Sequence, residues 1–167
     1  MRVRMGVLAL AALALGGSSP ANAMAQAKQP AATAVAPAAG AGKVVEIKGT
    51  DDMKYSVTNI DAKPGEQITV KLTGVGSMPK MVMAHNFILL KKGTDETAFV
   101  NAGALARDTG FIAPAQKVHV LALTPLAGAG ETVQVSFEAP KVPGKYTYLC
   151  SFPGHYASGM KGTLTVK

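Results

Sequence analysis

Cys150-Ser151-Phe152-Pro153-Gly154-His155-Tyr156-Ala157-Ser158-Gly159-Met160 places a thiolate, an imidazole and a thioether in one short loop, at intervals of five residues. Soft sulfur and borderline nitrogen donors together suit copper in both of its common oxidation states. A trigonal set of one Cys and two His with a weak axial Met is an electron-transfer arrangement. The loop lacks one His, and His85, in Met81-Val82-Met83-Ala84-His85-Asn86-Phe87, supplies it from 65 residues upstream. Donors drawn from two distant segments need a folded frame to bring them together. Pro153, by fixing φ, and Gly154, by permitting a tight bend, let the loop fold over a metal.

Outward from the loop, the frame reads as strands. Apolar and polar residues alternate over Lys145–Leu149, which ends at Cys150, and over Gly162–Val166, which follows Met160. The same period-two pattern recurs over Val44–Ile47, Tyr55–Ile60, Gln67–Leu72, Asn86–Leu90, Lys117–Leu123 and Thr132–Phe137. Turn residues separate the runs, as in Lys63-Pro64-Gly65, Gly128-Ala129-Gly130 and Val142-Pro143-Gly144. The expected architecture is all-β, an eight-stranded Greek-key sandwich. Thr94–Ala113 departs from it: Ala98, Ala102, Leu105 and Ala106 fall near helical spacing, and Asp95-Glu96 suits a helix start. This predicts a short helical flap outside the barrel.

The N-terminal part has a different character. Arg2 and Arg4 precede an apolar run from Gly6 to about Leu15, followed by Ala21-Asn22-Ala23, a small-residue cleavage pattern. Residues 1–23 are therefore expected to be an export signal, and the product to be periplasmic or otherwise extracytoplasmic. The run is shorter than the roughly 20 residues needed to cross a bilayer, so no transmembrane helix is expected after its removal. Residues 24–42 are mostly Ala, Pro, Gln and Gly, a composition that cannot offset its ordering entropy by burial and is expected to form a tether. That leaves 43–167 as one domain.

Without the signal, 15 basic residues face 10 acidic ones, a moderate excess. The Lys residues are scattered and no aromatic array interleaves them, which argues against nucleic-acid binding. The one Cys cannot pair within the chain. Exported proteins usually pair their Cys residues, and most lone ones are inert core thiols. Met160, His85 and Phe152 would each, taken singly, read as packing. The spacing that joins them favours a metal-bound thiolate.

Three His, two of them used, cannot build the further His-ligated copper of an oxidase or reductase, so the chain is read as a carrier and not an enzyme. His119 is expected to be an exposed strand residue. A periplasmic copper carrier or storage protein is the alternative, with some weight from eight Met residues.

The segments Met78-Pro-Lys-Met-Val-Met-Ala-His-Asn-Phe87 and Cys150 to Val166 resemble the two copper-binding segments of azurins and, more closely, auracyanins, among the cupredoxins. The resemblance implies one type 1 copper ion with His85, Cys150 and His155 as equatorial ligands and Met160 as the axial one. It also implies that Asn86 braces the ligand segments and hydrogen-bonds the thiolate, with Ser151 and Phe152 beside the metal. Ala84 stands where azurins use a Gly whose carbonyl approaches copper, the place of a weak fifth contact. Azurins have one residue fewer between His and Met, and their disulfide cannot form here. The implied function is one-electron shuttling between larger redox proteins, such as a c-type cytochrome, a membrane electron-transfer complex or a terminal reductase. The expected docking face is an apolar ring of Met83, Phe152 and Pro153, with Met78 or Met81 at its margin, around a surface-reaching His155 nitrogen.

Overall fold

The computed structural model describes residues 42–167. The predicted export signal, and all but Gly42 of the predicted tether, lie outside the described residues.

Nine strands build two mixed sheets. The first has the order β2 (Lys54–Tyr55), β1 (Lys43–Thr50), β4 (Gln67–Val75), β7 (Thr132–Glu138). The second has the order β3 (Asn59–Ala62), β9 (Lys161–Val166), β8 (Gly144–Leu149), β5 (Ile88–Leu90), β6 (Val120–Leu123). β1 runs parallel to β4 and β3 parallel to β9; the other pairs are antiparallel.

Alternation in sequence becomes alternation in burial. Val45 and Ile47 of β1, Ile68, Val70 and Leu72 of β4, Tyr146 and Tyr148 of β8, and Leu164 and Val166 of β9 all point between the sheets. Each large apolar side chain so buried contributes about 1.5–3 kcal/mol relative to exposure. Tyr148 is enclosed by Tyr55 and Phe87 and its hydroxyl donates to the Val57 carbonyl, so the core phenol is satisfied.

The count of nine corrects the expected eight at one corner. The run Tyr55–Ile60 is two strands: β2 pairs with β1, then the chain bends and β3 pairs with β9 in the other sheet. The bend is held by Ser56, whose N–H donates to the Lys48 carbonyl and whose hydroxyl accepts the Lys48 N–H. The run Lys117–Leu123 is also shortened. Pro114 opens a 3-10 segment through His119, and the strand begins only at Val120, so His119 is not a strand residue and is only half exposed.

The flap contains α1 (Glu96–Gly103), capped by Asp95, whose carboxylate accepts the Ala98 N–H at 2.9 Å. Phe99 anchors it in a second apolar cluster with Ile88, Leu90, Ile112 and Leu149, on the outer face of the five-stranded sheet. No helix among the described residues is long and apolar enough to cross a membrane.

Candidate metal centre

Cys150 follows the last residue of β8, Met160 precedes the first of β9, and His85 lies just before β5. Because β8 is antiparallel to both neighbours, with Leu149 opposite Lys161 on one side and Ile88 on the other, all these donors arrive at the same end of the sandwich. His155 is brought back to them by the loop, which turns at Gly154 with φ of 85°, a conformation that a side chain would strain.

Cys150 Sγ and one ring nitrogen from each of His85 and His155 lie within 4.8 Å of one another. His155 Nδ1 is 3.5 Å from the sulfur, and the two imidazoles tilt by 39° with centroids 5.0 Å apart. Met160 is buried, donates its N–H to the His155 carbonyl at 2.9 Å and accepts the Cys150 N–H at 3.1 Å, closing the base of the loop. The Ala84 carbonyl oxygen is 4.0 Å from Cys150 Sγ, at the margin of the cluster.

The donors fit a metal ion on independent grounds. His85 Nδ1 is buried with no hydrogen-bond partner. Buried polar atoms are nearly always partnered, so an orphan nitrogen among a sulfur and a second imidazole marks a place for a cation. The rigidity of the approach supports this. His85 is pinned by a two-way backbone bridge to Ala127, its N–H donating at 2.9 Å and its carbonyl accepting at 2.7 Å.

Burial pushes the Cys150 thiol up to about 12, with the backbone N–H groups of Asn86 and Phe152 acting in the opposite direction. Burial, and then the neighbouring His85, brings His155 down to about 4; burial also lowers His85, against the pull of Asp51. Both imidazoles are therefore neutral near pH 7, with lone pairs free for a metal.

Asn86 joins the two ligand segments. Its Oδ1 accepts the Ser151 N–H at 3.0 Å, and its Nδ2 donates to Ser151 Oγ at 2.9 Å and to the Gly110 carbonyl at 3.2 Å. The Asn86 side chain thus meets Ser151, while its backbone N–H is the part of the residue that acts on the sulfur. The backbone amides of Asn86 and Phe152 are the groups that favour the thiolate. Ser151 Oγ donates in turn to Gly110 O at 2.8 Å, and the Tyr55 hydroxyl donates to the Asn86 carbonyl.

His155 is 1% exposed, with the Phe152 ring against it at a centroid distance of 4.8 Å and Phe111 edge-on to Phe152 at 5.0 Å. Beside it Pro153 is exposed and Met83 half-buried. Met78 and Met81 are exposed, Met81 by 76%.

Sequence reasoning missed Gly110, Tyr55, Phe111 and Gly49. Phe111 adopts φ of 61°, unusual for a bulky residue, directly after the Gly110 carbonyl that receives two of these bonds. Gly49 lies against the His85 ring: a Cβ there would sit 2.7 Å from its Cγ. Gly49→Ala should displace that ring and weaken copper binding by roughly ten- to hundredfold. Competition titration against a chelator checks it, and unchanged affinity would show that His85 can move without cost.

A family profile described as copper binding proteins, plastocyanin/azurin family, matches residues 41–167. The chain is 36% identical over 126 residues to the azurin of Pseudomonas denitrificans, an alignment covering 74% of this chain and 97% of that protein. It is 34% identical over 126 residues to auracyanin-B of Chloroflexus aurantiacus, covering 74% of this chain but only 52%, about half, of the relative's length. The structure of an azurin from Methylomonas sp. strain J superposes with a TM-score of 0.66 at 35% identity, covering 76% of this chain and 99% of that one.

Proposed function

The chain belongs to the plastocyanin/azurin family of copper-binding proteins, and from that premise we propose that it is an exported carrier of single electrons between larger redox proteins. Blue copper proteins of this family act in electron transfer, and His85, Cys150, His155 and Met160 are positioned as a type 1 copper site. In the proposed assignment His85, Cys150 and His155 are the equatorial ligands and Met160 the axial one. The observation that carries the reading is the convergence of one donor atom each from His85, Cys150 and His155 within 4.8 Å, together with a buried His85 Nδ1 that has no hydrogen-bond partner.

Bound copper would supply one-electron chemistry. The protein's own contribution is a dry, pre-shaped cage. Cys150 and Met160 are wholly buried and His155 nearly so, which excludes water and limits ligand exchange. Backbone bonds from Met160 to His155 and Cys150 hold the loop, and the Ala127 bridge holds His85, so the donors can keep their places as charge changes. A chain that delivered metal would gain from open, exchangeable ligands. The buried set here favours electron over metal delivery. Mixed nitrogen and sulfur donors suit both oxidation states. The test is to load the protein with one equivalent of copper: an intense blue colour and reversible voltammetry are expected, and a colourless, labile complex would favour the copper carrier.

Donors and acceptors such as a c-type cytochrome, a membrane complex or a terminal reductase remain the proposed partners, docking over Met83, Phe152, Pro153 and the covered edge of His155. Met83→Lys would bring like charges face to face when two copies meet, and like-charge contact costs encounter complexes heavily. Self-exchange, read from NMR line widths, should fall about tenfold or more with little change in the visible spectrum. Neutralising the exposed Lys91 and Lys92 should matter less, since screening acts over about 8 Å at physiological salt. The reverse ranking would place the docking face elsewhere.

A further inference from the structure

Glu96, the first residue of α1, is not the residue that caps that helix. Asp95 already caps that helix, whereas the Glu96 carboxylate turns to the copper loop and receives three donors. Its Oε1 accepts from Thr147 Oγ1 at 2.6 Å, and its Oε2 accepts from the Tyr156 hydroxyl at 3.0 Å and from Lys161 Nζ at 3.0 Å. Lys161 Nζ also stands 5.0 Å from the centre of the Tyr156 ring, closing the cluster on itself.

The positions of these partners are informative. Thr147 is on β8, three residues before Cys150; Tyr156 directly follows His155; Lys161 directly follows Met160. One carboxylate from the flap therefore reaches a residue within one to three positions of each of the three ligands that the loop supplies. The far side of the loop has its own hold, a bond from the Lys54 ammonium to the Ser158 carbonyl.

We propose that Glu96 is a positioning residue for the metal centre: by holding Thr147, Tyr156 and Lys161 it restrains Cys150, His155 and Met160 and limits their movement between oxidation states. This rests on the electron-carrier reading and adds a role for the flap helix. An exposed ion pair would carry little weight, contributing about 0–1 kcal/mol. Glu96 is different, because its side chain is only 23% exposed and is shared by a hydroxyl, a phenol and an ammonium. Burial raises its pKa, but the bonds from Thr147, Lys161 and Tyr156 outweigh this and hold it below the ordinary carboxylate range.

The test compares wild type, Glu96→Ala and Glu96→Gln, first without copper and then loaded. In the metal-free protein, amide hydrogen exchange at Ser158, Gly159 and Met160 should rise roughly tenfold or more in the Ala variant, while amides of Ile68, Val70 and Leu72 keep their protection. The Gln variant, whose amide oxygen can still accept from Thr147 and whose NH2 can donate to the Tyr156 hydroxyl oxygen, should restore most of that protection. In the loaded protein, self-exchange should slow in the Ala variant and recover in the Gln variant. Loop amides unchanged in Glu96→Ala, loop and core amides rising together, or a Gln variant as loose as the Ala variant would each overturn the proposal. Failure of the wild-type protein to exchange electrons at all would count against the carrier reading, and the metal-free comparison would still decide on the latch.

Discussion

Cys150→Ser abolishes the blue colour of the copper-loaded protein and leaves the sandwich folded. The thiolate is the donor that gives a type 1 site its intense absorption, and a hydroxyl is too hard and too weakly acidic to replace it. The fold should survive, since the frame around Cys150 is independent of its sulfur. Its N–H still reaches Met160, and the surrounding core of Phe87, Leu89, Tyr148 and Leu164 is untouched. Placing a buried hydroxyl where a thiol was costs about 1–3 kcal/mol. Absorption and circular dichroism check the two halves separately. A persistent band would remove Cys150 from the ligand set. Loss of the β-sheet signal in the metal-free variant would show that the sulfur contributes more to packing than its neighbours suggest.

Asn86→Ala should have a large effect on stability for the loss of a polar side chain. The side chain is 1% exposed and makes three hydrogen bonds, two to Ser151 and one to Gly110. Its removal strands the buried Ser151 N–H, while Gly110 O keeps the Ser151 hydroxyl. An unpaired buried group costs about 1–3 kcal/mol, and the other lost bonds add to it, so destabilisation of about 3 kcal/mol is expected. For a domain of this size that lowers the melting temperature by roughly 10 °C. Thermal unfolding of the metal-free protein measures it without interference from copper. A shift of only one or two degrees would mean that water replaces the amide and that the segments are joined mainly through backbone.

What was legible in the sequence was whatever is local. Cys150, His155 and Met160 betray themselves because one loop carries them at fixed spacing, and the strand runs do so because burial alternates along each of them. Tyr55–Ile60 misled because alternation says nothing about which sheet a residue joins, and a chain can switch sheets at a bend without breaking the pattern. His119 misled for a related reason: a 3-10 segment opened by Pro114 keeps apolar residues near those of a strand. Gly49, Tyr55, Gly110 and Glu96 left no signal, because each acts on residues tens of positions away in the chain, and only the folded frame brings them to the site. The Phe111–Phe152 pair that packs against His155 left no signal in the segment that carries it.

The hydrogen bond from Cys150 to Met160 bears on how such a chain can change over evolutionary time. It lies at the base of the loop, next to the Leu149–Lys161 pair with which the β8–β9 ladder ends, so the nine residues between are a detachable segment hung from a closed hairpin. A residue inserted or deleted there need shift no strand register. The extra residue between His155 and Met160, relative to azurins, sits in that segment. Ligand spacing is thereby free to drift under selection for a particular potential or partner, while the barrel beneath is inherited unchanged.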